Sequence, residues 1–335
     1  MLNTLIIGAS GYAGIELVYY LNKHSYVKIL DLVVSSNSQD LGKSIDELYP
    51  QMKKIINLKL KSLDQAMKTN KKIDVVFLAT DPVTSHNLVH FFIKKKCVVL
   101  DLSGAFRINN VNFYKKYYGF VHNYTDLLKK STYGLAEWNK KNISKAQLIA
   151  VPGCYPTAAL LSLKPLIESK YLDKKYYPVI NAISGISGAG RKNILNNNFC
   201  EVSLNAYNLF KHRHEPEISY YLGIPIIFTP HIGNFSRGIL STITCKVKSD
   251  MLYEDILTIF KKFYSNEPLI RIYDNKKTPA LKSVINLPFI DIGFSIKGKY
   301  LIIIAAEDNL LKGAATQAIQ CLNIRFGFLE TESIL

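Results

Sequence analysis

The chain of 335 residues is 48% apolar and 20% charged, which is enough apolar surface for two globular cores and too balanced for a disordered or fibrous polymer. Its net charge of +16 comes from 42 basic residues, of which only six are arginine, and the lysines lie in short clusters along the whole chain. That spread argues against a nucleic-acid binder, and no apolar run reaches the roughly 18 residues of a membrane span.

The first third alternates unbroken apolar strands with helical stretches. Strands are predicted at 2–7, 27–34, 73–79 and 97–102, with helices at 14–22 and from 82 to 96. Strands without polar alternation, joined by helices, indicate a parallel sheet covered on both faces, hence a doubly wound α/β domain over 1–150. From about 151 to 307 the texture becomes α+β. Strands are predicted at 177–183, 224–228, 239–247, 284–289 and 300–306, with helices at 156–170, 216–222 and 251–264, on a mixed or antiparallel sheet. Residues 308–327 form one long helical pattern.

Five cysteines (Cys97, Cys154, Cys200, Cys245 and Cys321) are scattered and never spaced CxxC. Together with a start that lacks a signal-peptide pattern, they predict a reducing, cytoplasmic setting without disulfides or a metal site.

The first strand runs straight into Gly8-Ala9-Ser10-Gly11-Tyr12-Ala13-Gly14 and a helix. Glycines in that turn let the backbone approach a pyrophosphate seated on the helix N-terminus, so Gly8, Ser10, Gly11, Tyr12, Ala13 and Gly14 are assigned to a dinucleotide. The second strand ends in Ser35, Ser36, Asn37 and Ser38, followed by Lys43. Hydroxyls (Ser35, Ser38) and the lysine suit a 2′-phosphate, which an acidic residue would repel, so NADP is expected. Asp31 is the residue that opposes this choice.

Cys154 stands in VPGCYPTA, after an apolar strand and at a helix start, where a thiol gains thiolate character. The other four cysteines are expected to be inert. Residues 212–217, His-Arg-His-Glu-Pro-Glu, supply candidate acid–base groups in His212 and His214, with Glu217 to orient one of them. Where lysine is the default, each arginine is a candidate for bidentate anion recognition. Arg107 leaves a strand of the parallel sheet in DLSGAFR. Arg191 ends a small-residue loop, SGISGAGR, containing Ser184, Ser187 and Gly188. Arg213 and Arg237 complete the set, while Arg271 and Arg325 are read as structural.

Taken with YGLAEWN at 133–139, FTPHIGNFSRGI at 228–239 and DNLLKGAATQAIQ at 308–320, these segments resemble the N-acetyl-gamma-glutamyl-phosphate reductases, within the aspartate-semialdehyde dehydrogenase-like group, nearly end to end. Ala136, where the family usually has proline, and Gly104, in a motif that often reads DLSADFR, are minor departures. The resemblance implies a Rossmann-type NADP-binding domain over 1–150, completed by 308–335, and a catalytic and oligomerisation domain over 151–307. It implies NADPH-dependent reduction of N-acetyl-glutamyl 5-phosphate to the 5-semialdehyde with release of phosphate, through a thioester on Cys154. Arg107 would contact phosphate, and Arg213, Arg191 or Arg237, beside Ser184, the substrate carboxylate. Ser187 and Gly188 are assigned to the cofactor. A homodimer or homotetramer is expected, with small molecules rather than nucleic acid or membrane as its other partners.

Overall fold

Apolar β-branched runs with no polar alternation can only be buried on both faces, and the first 150 residues fold accordingly. The computed structural model describes residues 1–68, 70–191 and 201–335; Cys200 lies outside them. The chain divides into two units, Met1–Pro152 with Ala314–Leu335, and Gly153–Gly313.

In the first unit the described strands are β1 (Leu2–Ile7), β2 (Val27–Val33), β3 (Leu60–Lys61), β4 (Val75–Leu78), β5 (Val98–Asp101), β6 (Thr132–Tyr133) and β7 (Leu148–Ala150). They pair in the order β3-β2-β1-β4-β5-β7-β6, all parallel. Helices Tyr12–Asn22 and Pro82–Lys94 are among the crossovers. The second begins where the Asp81 carboxylate accepts the N–H groups of Val83 and Thr84 (3.1 and 3.0 Å), with Pro82 in the first turn where its missing N–H costs nothing. Val76, Leu78, Val89, Phe92, Val99, Phe106 and Tyr114 share one buried cluster.

The tail is less uniform than its sequence pattern. Leu311–Ala315 is a π-helical turn and the α-helix runs only over Thr316–Phe326. The unit break falls at Ala314, because Asp308 is anchored in the second unit by Arg237 and by the Asn286 N–H. Beyond the break the helix packs on helix Ala136–Ile143, where Gln317 donates to the Gly134 carbonyl and Arg325 to that of Ala146.

The second unit holds β8 (Val179–Gly185), β9 (Asn205–Ala206), β10 (Ile227–Gly233), β11 (Ile239–Lys246), β12 (Ile270–Ile272), β13 (Ile290–Lys297) and β14 (Tyr300–Glu307). The order is β12-β13-β14-β11-β8-β10-β9. β8–β10 and β12–β13 are parallel and the other pairs antiparallel, so the sheet is mixed. β11 alternates buried and half-buried positions along its length, as a strand with one covered face must. The covering helix, Cys154–Glu168, lies on β11 and β14 and is buried almost all round.

The strand expected at 284–289 is absent. Asn286 takes φ +62° and Leu287 bonds back to Val284, forming a turn; Pro288 has no N–H to give a ladder, and β13 starts at Ile290. No helix among the described residues is long and apolar enough to cross a membrane.

Candidate active site

Cys154 is the first residue of its helix, and its side chain is partly exposed. Gly153 precedes it in extended conformation (φ −68°, ψ 154°) and caps the helix with no side chain. The positive end of the peptide dipoles is therefore left for the thiol. Two contacts hold this turn. The Gly153 N–H donates to Oε1 of the fully buried Glu217 (3.0 Å), and a β-carbon on Gly153 would lie 2.4 Å from His214 Nε2. Only glycine lets the imidazole approach so closely. Gly313 presses from another side: a β-carbon there would stand 2.9 Å from Cys154 Cβ and 3.1 Å from Oε1 of buried Glu307.

The two histidines occupy different places at the start of helix His214–Leu222. His212 Nδ1 accepts the His214 backbone N–H (3.1 Å), which puts the proton of the neutral ring on Nε2, 3.4 Å from the Tyr207 hydroxyl. Burial, aided by the neighbouring Arg213 charge, lowers the His212 pKa to about 4, so the ring is neutral at pH 7. The Tyr155 hydroxyl donates to the His231 carbonyl (3.0 Å) and lies 3.5 Å from that of Tyr207. Burial raises the pKa of both phenols, and proximity to Cys154 adds to the rise.

The small-residue loop is tied to its neighbours by backbone. The N–H groups of Gly185, Ile186 and Ser187 donate to the carbonyls of Gly238, Phe235 and Ser236. Asn309 bridges them, its Nδ2 donating to Ser187 Oγ (3.0 Å) while its Oδ1 accepts the Gly238 N–H (2.7 Å). The Ser184 hydroxyl donates to the Gly185 carbonyl, and Gly188 sits over it. Arg237 makes a two-pronged pair with buried Asp308 (2.8 and 3.0 Å). Arg191 and Arg213 are exposed.

In the first unit Arg107 is buried and donates to the carbonyls of Val151 (2.7 Å) and Leu102 (3.0 Å), fastening its own loop. In the glycine-rich turn Gly8 takes φ +86°, and a β-carbon on it would lie 2.2 Å from the Ala79 carbonyl oxygen. Gly11 caps helix Tyr12–Asn22 with no side-chain acceptor, Gly14 fits where a β-carbon would meet the Gly8 oxygen at 2.2 Å, and the Tyr49 hydroxyl holds the Ser10 carbonyl. Tyr12 and Ala13 open the helix, so this turn has the bare amide end that a pyrophosphate requires. Ser35, Ser38 and Lys43 line the loop after β2. Ser38 Oγ accepts the Asp40 N–H, and Lys43 is 3.5 Å from Asp40. Asp31 is not at the strand end: it is buried within β2 and paired with Lys61.

Sequence reasoning passed over Gly313, Glu307, Asp308, Asn309, Tyr155 and Tyr207. Tyr155 carried a signal, since it adjoins the cysteine; the rest reach the site only through tertiary contacts. None of the four described cysteines forms a disulfide, and Cys97, Cys245 and Cys321 are buried. Among the described residues no cluster of histidine, cysteine and carboxylate side chains is placed to hold a metal ion.

Comparison with known proteins gives the family. The model of the semialdehyde dehydrogenase NAD-binding domain matches residues 3–146, and that of the semialdehyde dehydrogenase dimerisation domain matches 154–309. An N-acetyl-gamma-glutamyl-phosphate reductase of Pectobacterium carotovorum is 57% identical over 335 residues, and one of Escherichia coli strain K12 is 56% identical, each covering all of both chains. The fold is shared with aspartate semialdehyde dehydrogenase II of Vibrio cholerae, at TM-score 0.75 and 14% identity over 98% of each chain. The chain belongs to the N-acetyl-gamma-glutamyl-phosphate reductase family.

Proposed function

We propose that this chain reduces N-acetyl-L-glutamyl 5-phosphate to N-acetyl-L-glutamate 5-semialdehyde with NADPH and releases phosphate, the third step of arginine biosynthesis from glutamate. The observation that carries the reading is Cys154 at an uncapped helix N-terminus, in a turn fastened by Glu217 and His214.

The Cys154 thiolate attacks the acyl carbon, the carbon–oxygen bond to phosphate breaks, and a thioester remains on the enzyme. NADPH, when bound, would supply the hydride that reduces the thioester carbonyl. His212, neutral and protonated on Nε2, donates that N–H to the oxygen as it gains charge. Breaking the carbon–sulfur bond of the thiohemiacetal then frees the aldehyde and returns the thiolate. His214 and Glu217 keep the Cys154 turn in place.

Of the arginines, Arg191 and Arg213 are exposed and take the substrate's anionic groups, beside Ser184. Arg107 and Arg237, already engaged with carbonyls and with Asp308, hold the loops that shape the phosphate and carboxylate subsites. Gly8, Ser10, Gly11, Tyr12, Ala13 and Gly14 would hold the pyrophosphate, Ser35, Ser38 and Lys43 the 2′-phosphate, and Ser187 and Gly188 the nicotinamide end. The pairing of Asp31 with Lys61 removes the acidic residue that would disfavour NADP.

The first unit is thus the cofactor domain, and the second carries catalysis and assembly into a homodimer or homotetramer. The outer face of the second sheet bears exposed Tyr300 and Ile302, which suit a second copy. With its four described cysteines as thiols, the enzyme is assigned to the cytoplasm.

The test is reduction of NADP⁺ with N-acetyl-glutamate semialdehyde, with and without phosphate, beside aspartate semialdehyde. Turnover only with the acetylated substrate and phosphate is expected. Turnover with aspartate semialdehyde alone would move the chain to the sister activity, and silence from both would overturn the reading.

A further inference from the structure

Glu307, at the end of β14, is completely buried, yet Gly313 brings its carboxylate to the base of the cysteine helix. One absent β-carbon leaves a gap bordered by Cys154 Cβ at 2.9 Å and Glu307 Oε1 at 3.1 Å, so the β-carbon that carries the thiol and the carboxylate oxygen are at most about 6 Å apart across it. A carboxylate in that position works against the helix end. The dipole and the exposed first-turn amides stabilise the thiolate, whereas a neighbouring negative charge in a poorly solvated interior destabilises it.

The balance matters because a thiolate's nucleophilicity falls with its basicity, and the most effective attacking thiol titrates near the working pH. We propose that Glu307 is a positioning residue of this kind, whose charge keeps the Cys154 thiolate basic enough to attack an acyl phosphate. The proposal rests on Cys154 being the nucleophile.

Other groups surround the thiol. Glu217 accepts the Gly153 N–H and acts in the same sense as Glu307, and His214 packs against Gly153. Tyr155 and Tyr207 are neutral phenols, Arg213 is exposed, and Lys312, buried beside Gly313, acts in the opposite sense.

The experiment is the pH dependence of Cys154 alkylation by iodoacetamide in the full chain, without substrate or cofactor, read from the mass of the Cys154 peptide. Glu307→Gln, which keeps the volume and removes the charge, should lower the midpoint by about one pH unit and, because the less basic thiolate is also a weaker nucleophile, raise the rate below that midpoint only about three- to fourfold. Glu307→Asp, which withdraws the charge by one methylene, should shift it less in the same direction. An unchanged or raised midpoint in Glu307→Gln overturns the proposal. If that variant does not fold, a wild-type midpoint in Glu307→Asp does so. Failure of the nucleophile assignment is read separately: Cys154→Ser would then keep its turnover, whatever the alkylation midpoints are.

Discussion

At the residue scale the site depends on which atoms are already engaged. His212 spends Nδ1 on the His214 amide, and Arg237 spends an edge on Asp308, so two residues that look equivalent in sequence to His214 and Arg213 are fixed in different roles. Cys154→Ser should lower turnover by at least about a thousandfold, because a serine hydroxyl is barely ionised where a thiol is, while NADPH affinity stays within a factor of about two. Fluorescence titration beside steady-state rates checks both halves. A histidine of the first unit makes a second prediction. His122 donates from Nε2 to the Ala105 carbonyl (3.0 Å), its Nδ1 is buried without a partner, and burial, with His86 nearby, lowers its pKa to about 4. His212 is lowered to a similar value. Unfolded, both rings take up a proton near 6.5; folded, they resist until about 4. The unfolded state therefore binds more protons between those values, and stability should fall as the pH drops through that window. The melting temperature should decline by several degrees from pH 6.5 to 4, and His122→Phe should show a shallower decline.

At the scale of elements, the cysteine helix shows why some contacts cannot be read from a local pattern. Its sequence contains Pro165, which lacks the N–H that would bond to the Leu161 carbonyl four residues back. Yet the helix continues to Glu168, because the Tyr264 hydroxyl, 103 residues away in sequence, donates to that carbonyl instead. The helix that begins at Cys154 is buried on nearly every side, so the repair supports the element that carries the site as well as the fold. Tyr264→Phe leaves a buried carbonyl unsatisfied and should cost about 1–3 kcal/mol, seen as a lower urea midpoint with an unchanged m-value. A midpoint equal to wild type would mean that the carbonyl finds another donor. Strands and helices with strong patterns, such as those around Phe77, Phe92 and Ile243, were legible to within a few residues. The turn at 284–287 was not, because Val284, Ile285 and Leu287 have strand composition and only Asn286 and Pro288 mark the break.

At the scale of the whole molecule, the sequence pointed to a parallel sheet followed by a mixed or antiparallel one, and it singled out Cys154 and the histidine cluster from chemistry carried by neighbours in the chain. It did not show Glu307, Asp308 and Asn309 as parts of the second unit's site surroundings, since a single helical pattern conceals where the chain leaves that unit. Nor does alternation along β14 say what covers its outer side. There Tyr300 is 60% exposed and Ile302 is 42% exposed, while Leu301 and Ile303, facing inward, are fully buried. A strand that turns an isoleucine and a tyrosine outward near the end of a family's dimerisation segment is best explained by a second copy on that face. Two copies would place like residues against one another about a twofold axis, so one substitution acts twice. Ile302→Lys puts a charge into both halves of such an interface and leaves the buried face of β14 unchanged. Sedimentation should find it one size class below wild type, as monomer from dimer or dimer from tetramer, with the circular dichroism of the folded chain retained. An unchanged mass would place the assembly contact on another surface of the second unit.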